Sequence, residues 1–249
     1  MAISLTKIEQ EAPELLSLAK TASSAVAKHR MAGQKSKVAL ILDYSGSMRN
    51  DYANGSMQRL AEKVLALGTQ LDDDGAIDLF LFDTESAYMG EVTLSNFRDF
   101  IAQATRNRHM GLTYYAKAFR VLMEHYGLTP VPQKTSMFGK KKFVPLAQPV
   151  SEPILAIFLT DGAPSDRADA IETITQASYA PIFWQFLSIG KENIQFLQKL
   201  DDLDGRFVDN ADYKPVGNVD KLGDEELYSM LLDEYPDWVA DQRSRRQIL

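Results

Sequence analysis

The segment VALILDYSGS, residues 38–47, decides the fold and contains the first candidate site. Its first five residues have no polar side chain, which is typical of a short strand covered on both faces in a parallel sheet. The polarity changes at Asp43, and the hydroxyls of Ser45 and Ser47 follow at intervals of two residues. A tight loop at the end of the strand can direct all three side chains to one point. Hard divalent cations prefer such oxygens, and Mg²⁺ binds about six of them at roughly 2.0–2.1 Å, so we expect a metal site here.

The composition limits the class of protein. Of the 249 residues, 45% are hydrophobic, which is enough to bury a core without disulfides or a partner. The chain has no cysteine, which excludes thiolate zinc sites and cysteine nucleophiles and is consistent with a reducing compartment. A formal net charge of −7 argues against nonspecific nucleic-acid binding as the main activity. The sequence lacks a signal-peptide pattern and an apolar run that could span a bilayer, so we expect a cytoplasmic protein.

Predicted strands alternate with predicted helices along most of the chain. This order predicts an α/β fold, a doubly wound and mostly parallel sheet with helices on both faces and one short antiparallel edge strand. Ligands of such sheets bind outside the carboxyl ends of the strands, where the strand order reverses. The predicted strands after residues 38–42 are 76–82, 87–92 (the antiparallel one), 154–159, 181–188 and 207–208. The predicted helices of the main domain are 57–71 (capped by Ser56), 94–104 (capped near Ser95), 114–126, 166–177 (capped by Ser165 or Asp166), 192–200 and 224–232.

The sequence divides into three parts. Residues 1–35 are predicted to form an N-terminal helical extension, with Pro13 either in the first turn of a helix or between two short helices. The main domain is predicted over residues 36–235. Within it, residues 127–153 contain five prolines and the lysines 140–142, which indicates a long loop or a protruding hairpin. Residues 236–249 are predicted to be a C-terminal tail that frays or packs as a helix.

Two further stretches can complete the metal site. A polar loop leads to Gly111-Leu112-Thr113, and Thr113 lies at the start of a predicted helix, where a threonine is also a common N-cap. The second apolar run, residues 154–159, ends at Thr160-Asp161-Gly162 and repeats the pattern of a buried strand followed by an acid. If the two strands are neighbours, Asp43 and Asp161 lie at the same edge of the sheet.

Taken in order, D-x-S-x-S at residues 43–47, G-x-T at 111–113 and D-G at 161–162 resemble the metal-ion-dependent adhesion site (MIDAS) of von Willebrand factor A (vWA) domains. The resemblance covers roughly residues 36–208. The N-terminal helical segment and the insertion before residue 154 are similar to the bacterial tellurium-resistance-associated branch of the family. One departure is Met110, because many members have a second glycine before the glycine that corresponds to Gly111.

This resemblance implies a role for each candidate residue. Ser45 and Ser47 would bind the metal directly, and Thr113 would bind it directly or through water. Asp43 and Asp161 would supply charge, largely through water. The metal would be Mg²⁺, with Mn²⁺ or Ca²⁺ as alternatives, and an open position would accept a carboxylate from a partner protein. The resemblance thus implies a non-catalytic interaction module, with tellurium resistance or a related stress response as its setting.

Several other interpretations of the same residues compete with this one. A Mg²⁺-dependent phosphotransferase of the haloacid-dehalogenase type also has an Asp after its first buried strand, but its general acid would occupy the position of Ser45. The sequence contains neither a phosphate-binding G-x-x-x-x-G-K-[ST] loop nor a G-x-S-x-G elbow. A fold that retains no working site is a further alternative. The acids 72–74 resemble another cation site, but a solvated turn is the preferred interpretation.

Overall fold

The computed structural model of the chain describes residues 2–133, 142–190 and 194–249. Its strands are β1 (Lys37–Asp43), β2 (Ile77–Phe82), β3 (Ser86–Val92), β4 (Pro132–Gln133), β5 (Lys142–Phe143), β6 (Ile154–Thr160), β7 (Ile182–Ile189) and β8 (Ala211–Gly217). Its α-helices are α1 (Leu5–Glu11), α2 (Leu16–Lys28), α3 (Arg49–Ala53), α4 (Ser56–Leu71), α5 (Phe100–Thr105), α6 (Tyr115–His125), α7 (Arg167–Ala177), α8 (Gln195–Asp201), α9 (Asp224–Leu231) and α10 (Tyr235–Ser244).

Six strands form the central sheet in the order β3-β2-β1-β6-β7-β8. All neighbouring strands are parallel except β2 and β3, so β3 is the antiparallel edge strand that the sequence predicted. The prediction of a doubly wound, mostly parallel α/β sheet is confirmed. Because β1 and β6 are adjacent and parallel, their carboxyl ends meet at the same edge of the sheet.

Helices cover both faces of the sheet, which explains the uninterrupted apolar runs of β1 and β6. Along β1, Leu40 and Leu42 pack into the core on one face, which includes residues of α2, α4, α9 and α10. Ala39 and Ile41 point to the opposite face, whose core includes residues of α6, α7 and α8. Successive strand residues alternate between the two faces, so a strand covered on both sides needs an apolar residue at every position.

The N-terminal segment consists of two helices on either side of a short 3₁₀ turn at Pro13–Leu15. Pro13 therefore separates two helices, which was one of the two predicted arrangements. Helix α2 buries Ala22 and Val26 in the same core as residues of α4 and α9. None of the helices in the described parts of the chain combines the length and the apolarity needed to cross a membrane.

The prediction of a last strand at residues 207–208 is wrong. Phe207 instead lies in a bend and stacks on Tyr179, with ring centroids 4.9 Å apart. The last strand is β8, which contains Pro215 and Gly217, residues that the sequence pattern placed in a connection. Since β8 forms the edge of the sheet and its second half is partly exposed, it needs no apolar run and tolerates a proline.

The helix predicted over residues 94–104 and the predicted cap of α4 also differ from the structure. The helix predicted over residues 94–104 is reduced to α5, because the side chains of Thr93 and Asn96 hydrogen-bond locally and Asp99 has a left-handed φ of 56°. Ser56 does not cap α4. Instead, the Asn54 side chain accepts the Ser56 main-chain N–H at 2.9 Å.

The insertion at residues 127–153 contains a two-stranded antiparallel sheet, β4 with β5. This pairing agrees with the protruding hairpin, one of the two arrangements predicted for residues 127–153. Of the predicted lysine triplet, Lys140 and Lys141 lie outside the described residues, as does the predicted start of a helix at residue 192. The C-terminal segment is helical through Ser244, and Trp238 of α10 packs against Phe183 of β7.

Candidate metal centre

Three loops are joined by main-chain contacts at the carboxyl edge of the sheet. Ser45 forms an isolated parallel bridge with Gly111. The Gly46 N–H donates to the Gly111 carbonyl at 3.2 Å, and the Gly111 N–H donates to the Tyr44 carbonyl at 3.3 Å. The loop after β6 is attached to the same group, because the Ser165 N–H donates to the Thr113 carbonyl at 2.9 Å. These bonds bring the three predicted parts of the site to one place.

Side-chain oxygens from two of these loops form a continuous chain. The Ser45 and Ser47 hydroxyls lie 3.1 Å apart, and the Ser47 hydroxyl donates to Asp161 Oδ1 at 2.9 Å. Adjacent ligands around an octahedral cation with bonds of about 2.0–2.1 Å lie roughly 3 Å apart. The spacing of the two hydroxyls therefore fits adjacent ligands of a small divalent cation, and Ser47 is exposed to solvent.

Asp43 is fully buried behind this chain of oxygens. Its Oδ1 accepts the Ser45 N–H at 2.8 Å, and its Oδ2 accepts the Thr160 hydroxyl at 2.6 Å. Burial raises the pKa of Asp43 to about 6, and the nearby negative charge of Asp161 acts in the same direction. The hydrogen bonds from Thr160 and Ser45 oppose this shift, because they favour the charged form. Asp43 is thus a buried carboxylate at the base of the site.

Thr113 belongs to the adjoining loop but not to the chain of hydrogen-bonded oxygens. Among the described residues its hydroxyl has no hydrogen-bond partner, and its carbonyl is the group that attaches to Ser165. Thr113 is not the N-cap of α6. The carboxylate of Asp166 caps that helix from another loop, by accepting the N–H groups of Tyr115 at 3.0 Å and Ala116 at 2.9 Å. This arrangement leaves the Thr113 hydroxyl available to a ligand.

The comparison with known families identifies the domain. The sequence model of the vWA-TerF-like family, described as the vWA domain found in the TerF C terminus, matches residues 35–248. The chain belongs to this family. A curated relative, the uncharacterised protein YcbR of Bacillus subtilis strain 168, is 30% identical over 218 residues, which cover 88% of this chain and 83% of YcbR.

Solved structures share the fold of this vWA-TerF-like domain. Proximal thread matrix protein 1 from the mussel byssus matches 82% of the chain with a TM-score of 0.53 and 12% identity. A mutant of the PilB minor pilin from Streptococcus sanguinis matches 83% of the chain with a TM-score of 0.51 and 14% identity. The chain spans about half of the mussel protein, 48%, and 63% of the pilin. At these identities the likeness concerns the vWA fold alone.

The sequence interpretation missed three residues that support the site. Thr160 was noted only as the end of an apolar run, yet it is fully buried and holds Asp43. Asp166 was predicted as a cap of α7, and although it precedes that helix its carboxylate caps α6 instead. Tyr52 donates to the Asp43 carbonyl at 2.9 Å. A hydroxyl residue directly before the acid of a buried strand was the available signal for Thr160.

Of the acids 72–74, Asp73 and Asp74 are exposed in a bend, in agreement with the solvated turn preferred from the sequence, whereas Asp72 is not. Asp72 is buried and lies 2.8 Å from Lys37 Nζ, which also contacts Asp74 at 2.6 Å. Lys35 forms an ion pair with Asp73. Lys35 and Lys37 therefore offset part of the negative charge of these three acids.

Gly111 is required by close packing, and we expect Gly111→Ala to weaken the site. A Cβ at this position would lie 2.6 Å from Thr84 Oγ1 and 3.0 Å from the Thr84 main-chain nitrogen. The loop must move to relieve this contact, at about 1–3 kcal/mol of folding stability. Because the same loop bonds to Gly46, we expect Mg²⁺ affinity by calorimetry to fall about tenfold. Gly223→Ala adds the same methyl group where no atom lies within 4 Å and should leave the affinity unchanged.

The raised pKa of Asp43 also predicts a pH dependence of metal binding. Below a pH of about 6 the metal-free domain holds a proton on Asp43, and a cation must displace it. We expect the association constant for Mg²⁺ to fall by up to about tenfold per pH unit below pH 6 and to be nearly constant above pH 7. Calorimetry from pH 5 to 7.5 measures this, with Asp43→Asn as the control without the proton. An affinity that is constant over the whole range would contradict the assignment of Asp43.

Proposed function

We propose that this vWA domain binds a protein partner through a divalent cation held by Asp43, Ser45, Ser47, Thr113 and Asp161. The observation that carries this proposal is the chain of oxygens from Ser45 through Ser47 to Asp161. It joins the loops of two adjacent parallel strands at the edge where α/β sheets bind their ligands. The exposure of Ser47 supports access by another molecule.

In this proposal the hydroxyls of Ser45 and Ser47 bind the metal directly, and Thr113 binds it directly or through water. Asp43 and Asp161 supply negative charge, largely through water. The cation, when bound, supplies an electrophilic position for a carboxylate of the partner. Mg²⁺ is the first choice because hydroxyl and carboxylate oxygens suit a hard cation, with Mn²⁺ or Ca²⁺ as alternatives.

We propose an interaction role and not catalysis. Both carboxylate oxygens of Asp43 are engaged by protein donors, which disfavours attack on a phosphate by this group. Ser45 stands two residues after Asp43, where a haloacid-dehalogenase phosphotransferase needs its general acid. The proposal places the protein in the cytoplasm, in tellurium resistance or a related stress response, on the strength of its family. We also propose that residues 1–35 are an N-terminal extension of the vWA domain and that residues 236–249 are its C-terminal tail.

Affinity capture from a lysate of the source organism tests the partner. The bait is the whole chain, with Mg²⁺ in one sample and EDTA in the other, and the matched bait is Ser45→Ala/Ser47→Ala. We expect at least one protein that is retained with Mg²⁺, released by EDTA, and absent from the double variant. If EDTA and the double variant each retain the same proteins as the wild type does in Mg²⁺, metal-dependent partner binding is contradicted.

A further inference from the structure

A second group of acids lies at the opposite edge of the sheet from the candidate metal centre. Asp201 is the last residue of α8, Asp212 is the second residue of β8, and Glu234 directly precedes α10. One carboxylate oxygen from each lies within 4.8 Å of the others. Because Asp212 is at the amino end of a parallel strand, this acidic triad is remote from the carboxyl edge that carries Asp43.

The neighbouring cations do not balance the acidic triad. Lys214 Nζ lies 3.2 Å from Asp212 Oδ1, but it also contacts Asp233 at 2.7 Å. Arg206 forms an ion pair with Asp209 at 2.7 Å, and Arg245 forms one with Asp241 at 2.7 Å. Among the described residues, the three carboxylates therefore share part of Lys214, and Arg206 contacts only the main-chain carbonyl of Asp201.

The electrostatics of the triad are consistent with this imbalance. Burial raises the pKa of Asp201 to about 7, and the charges of Asp212 and Glu234 contribute to the increase. The pKa of Glu234 is also raised, mainly by burial and then by Asp212. Asp201 is moreover at the carboxyl end of its helix, where the helix dipole disfavours an anion and favours a cation.

One buried acceptor within the triad and one on the neighbouring strand lack a donor, which is a separate indication of a ligand. Asp212 is almost completely buried, and its Oδ2 has no hydrogen-bond partner among the described residues. Gln185, its register neighbour on β7, is fully buried, and its Nε2 donates to the Asp212 carbonyl at 3.2 Å. This bond leaves Gln185 Oε1 without a donor within the described chain. A buried acceptor without a donor is unfavourable, and a bound ion or water is the usual explanation.

We propose that Asp201, Asp212 and Glu234 form a second divalent-cation site, with Ca²⁺ the best-suited ion. Ca²⁺ accepts irregular sets of carboxylate and amide oxygens at about 2.3–2.6 Å, whereas Mg²⁺ demands near-octahedral geometry. An open cavity of about 530 Å³ reaches Asp201 and Glu234, and its lining also includes Arg206 and Arg245. A cation here would link α8, β8 and the start of α10.

Another acidic group in the described chain consists of Asp72, Asp73 and Glu152, and it differs from the triad in its neighbouring lysines. Lys35 contacts both Asp73 and Glu152, and Lys37 contacts Asp72. Lysine ammonium groups thus already occupy the position of a cation in that group, and we assign no metal to it.

Equilibrium dialysis with radioactive Ca²⁺ tests the second site on the whole chain. The variants are Ser45→Ala/Ser47→Ala, which disables the first site, Asp201→Asn/Glu234→Gln, which disables the second, and the combination of all four changes. We expect Ser45→Ala/Ser47→Ala to retain one ion per chain and the combined variant to retain none. In EDTA, Asp201→Asn/Glu234→Gln should be at least as stable as the wild type, because it relieves repulsion, but should lose the Ca²⁺-dependent increase in Tm that this site confers.

Two results would overturn the second site. One is the loss of all bound Ca²⁺ in Ser45→Ala/Ser47→Ala, which would mean that the triad holds only protons or water. The other is retention of an ion by the combined variant, which would place that ion elsewhere. Failure of the first site gives a different result, equal binding by the wild type and Ser45→Ala/Ser47→Ala. If Asp201→Asn/Glu234→Gln does not fold, the single change Glu234→Gln replaces it, because Glu234 is exposed. In the Ser45→Ala/Ser47→Ala background, this single change should still weaken Ca²⁺ binding by at least tenfold.

Discussion

Replacing both Ser45 and Ser47 with alanine should lower the affinity for Mg²⁺ at the first site by at least about 100-fold. The two hydroxyls lie 3.1 Å apart, and Ser47 reaches Asp161 at 2.9 Å, so the double change removes two neighbouring oxygens of the candidate set. Loss of a single supporting hydrogen bond around a metal typically costs 10–100-fold in affinity, and loss of two ligands should cost more. Isothermal titration calorimetry at pH 7.5 measures the change.

The double variant should fold normally, because Ser47 is exposed and the buried Asp43 keeps its bonds to Thr160 and to the Ser45 main chain. Ser17→Ala, at an exposed position of α2, is the matched control and should bind Mg²⁺ as the wild type does. A Ser45→Ala/Ser47→Ala protein with wild-type affinity at this site would exclude the hydroxyls as ligands.

Thr160→Val should reduce both the stability of the domain and its metal affinity. The exchange keeps the side-chain shape but removes the hydroxyl that donates to Asp43 Oδ2 at 2.6 Å. A buried carboxylate oxygen left without its donor costs about 1–3 kcal/mol of unfolding free energy at neutral pH. Because Thr160 also favours the charged form of Asp43, we expect Mg²⁺ affinity to fall about 10–100-fold. Urea unfolding and calorimetry measure the two effects.

Thr160→Ser is the control, since it restores the hydroxyl and should recover most of the metal affinity. The loss of stability in Thr160→Val should also shrink below a pH of about 6, where Asp43 in the folded protein becomes protonated and needs no external donor. If Thr160→Val and Thr160→Ser bind Mg²⁺ equally well, Thr160 has no role in positioning Asp43.

The central strands could be predicted from the sequence because they are buried on both faces. Strand β1 is apolar at every position from Val38 to Leu42, and strand β6 at every position from Ile154 to Leu159, a pattern that is incompatible with an exposed strand. Strand β8 could not be predicted in the same way. It lies at the sheet edge, contains Pro215, and is held by pairing with β7, which no local pattern reveals. Similarly, α5 is shortened by side-chain bonds of Thr93 and Asn96 that compete with the helix.

The meeting of Asp43 and Asp161 at one sheet edge could also be predicted, since two buried parallel strands end in an acid. The support of the site depends on strand register and could not. The β1–β6 pairing of Leu42 with Leu159 brings Thr160 beside Asp43, and this alignment is a property of the folded sheet. Asp166 reaches α6 from a loop 50 residues away along the chain, so a cap of this kind leaves no local signature.

Thermal unfolding with and without metal tests the central claim most directly. The wild type and Asp43→Ala are each heated in EDTA and in Mg²⁺ at about 100 times the dissociation constant of the wild type. A ligand that binds only the folded state at this concentration stabilises it by about 2.7 kcal/mol, which for a chain of this size raises Tm by roughly 5–10 °C. We expect that increase in the wild type and its loss in Asp43→Ala. Equal midpoints in EDTA and Mg²⁺ for the wild type, or the same increase in both proteins, would contradict a metal site built on Asp43.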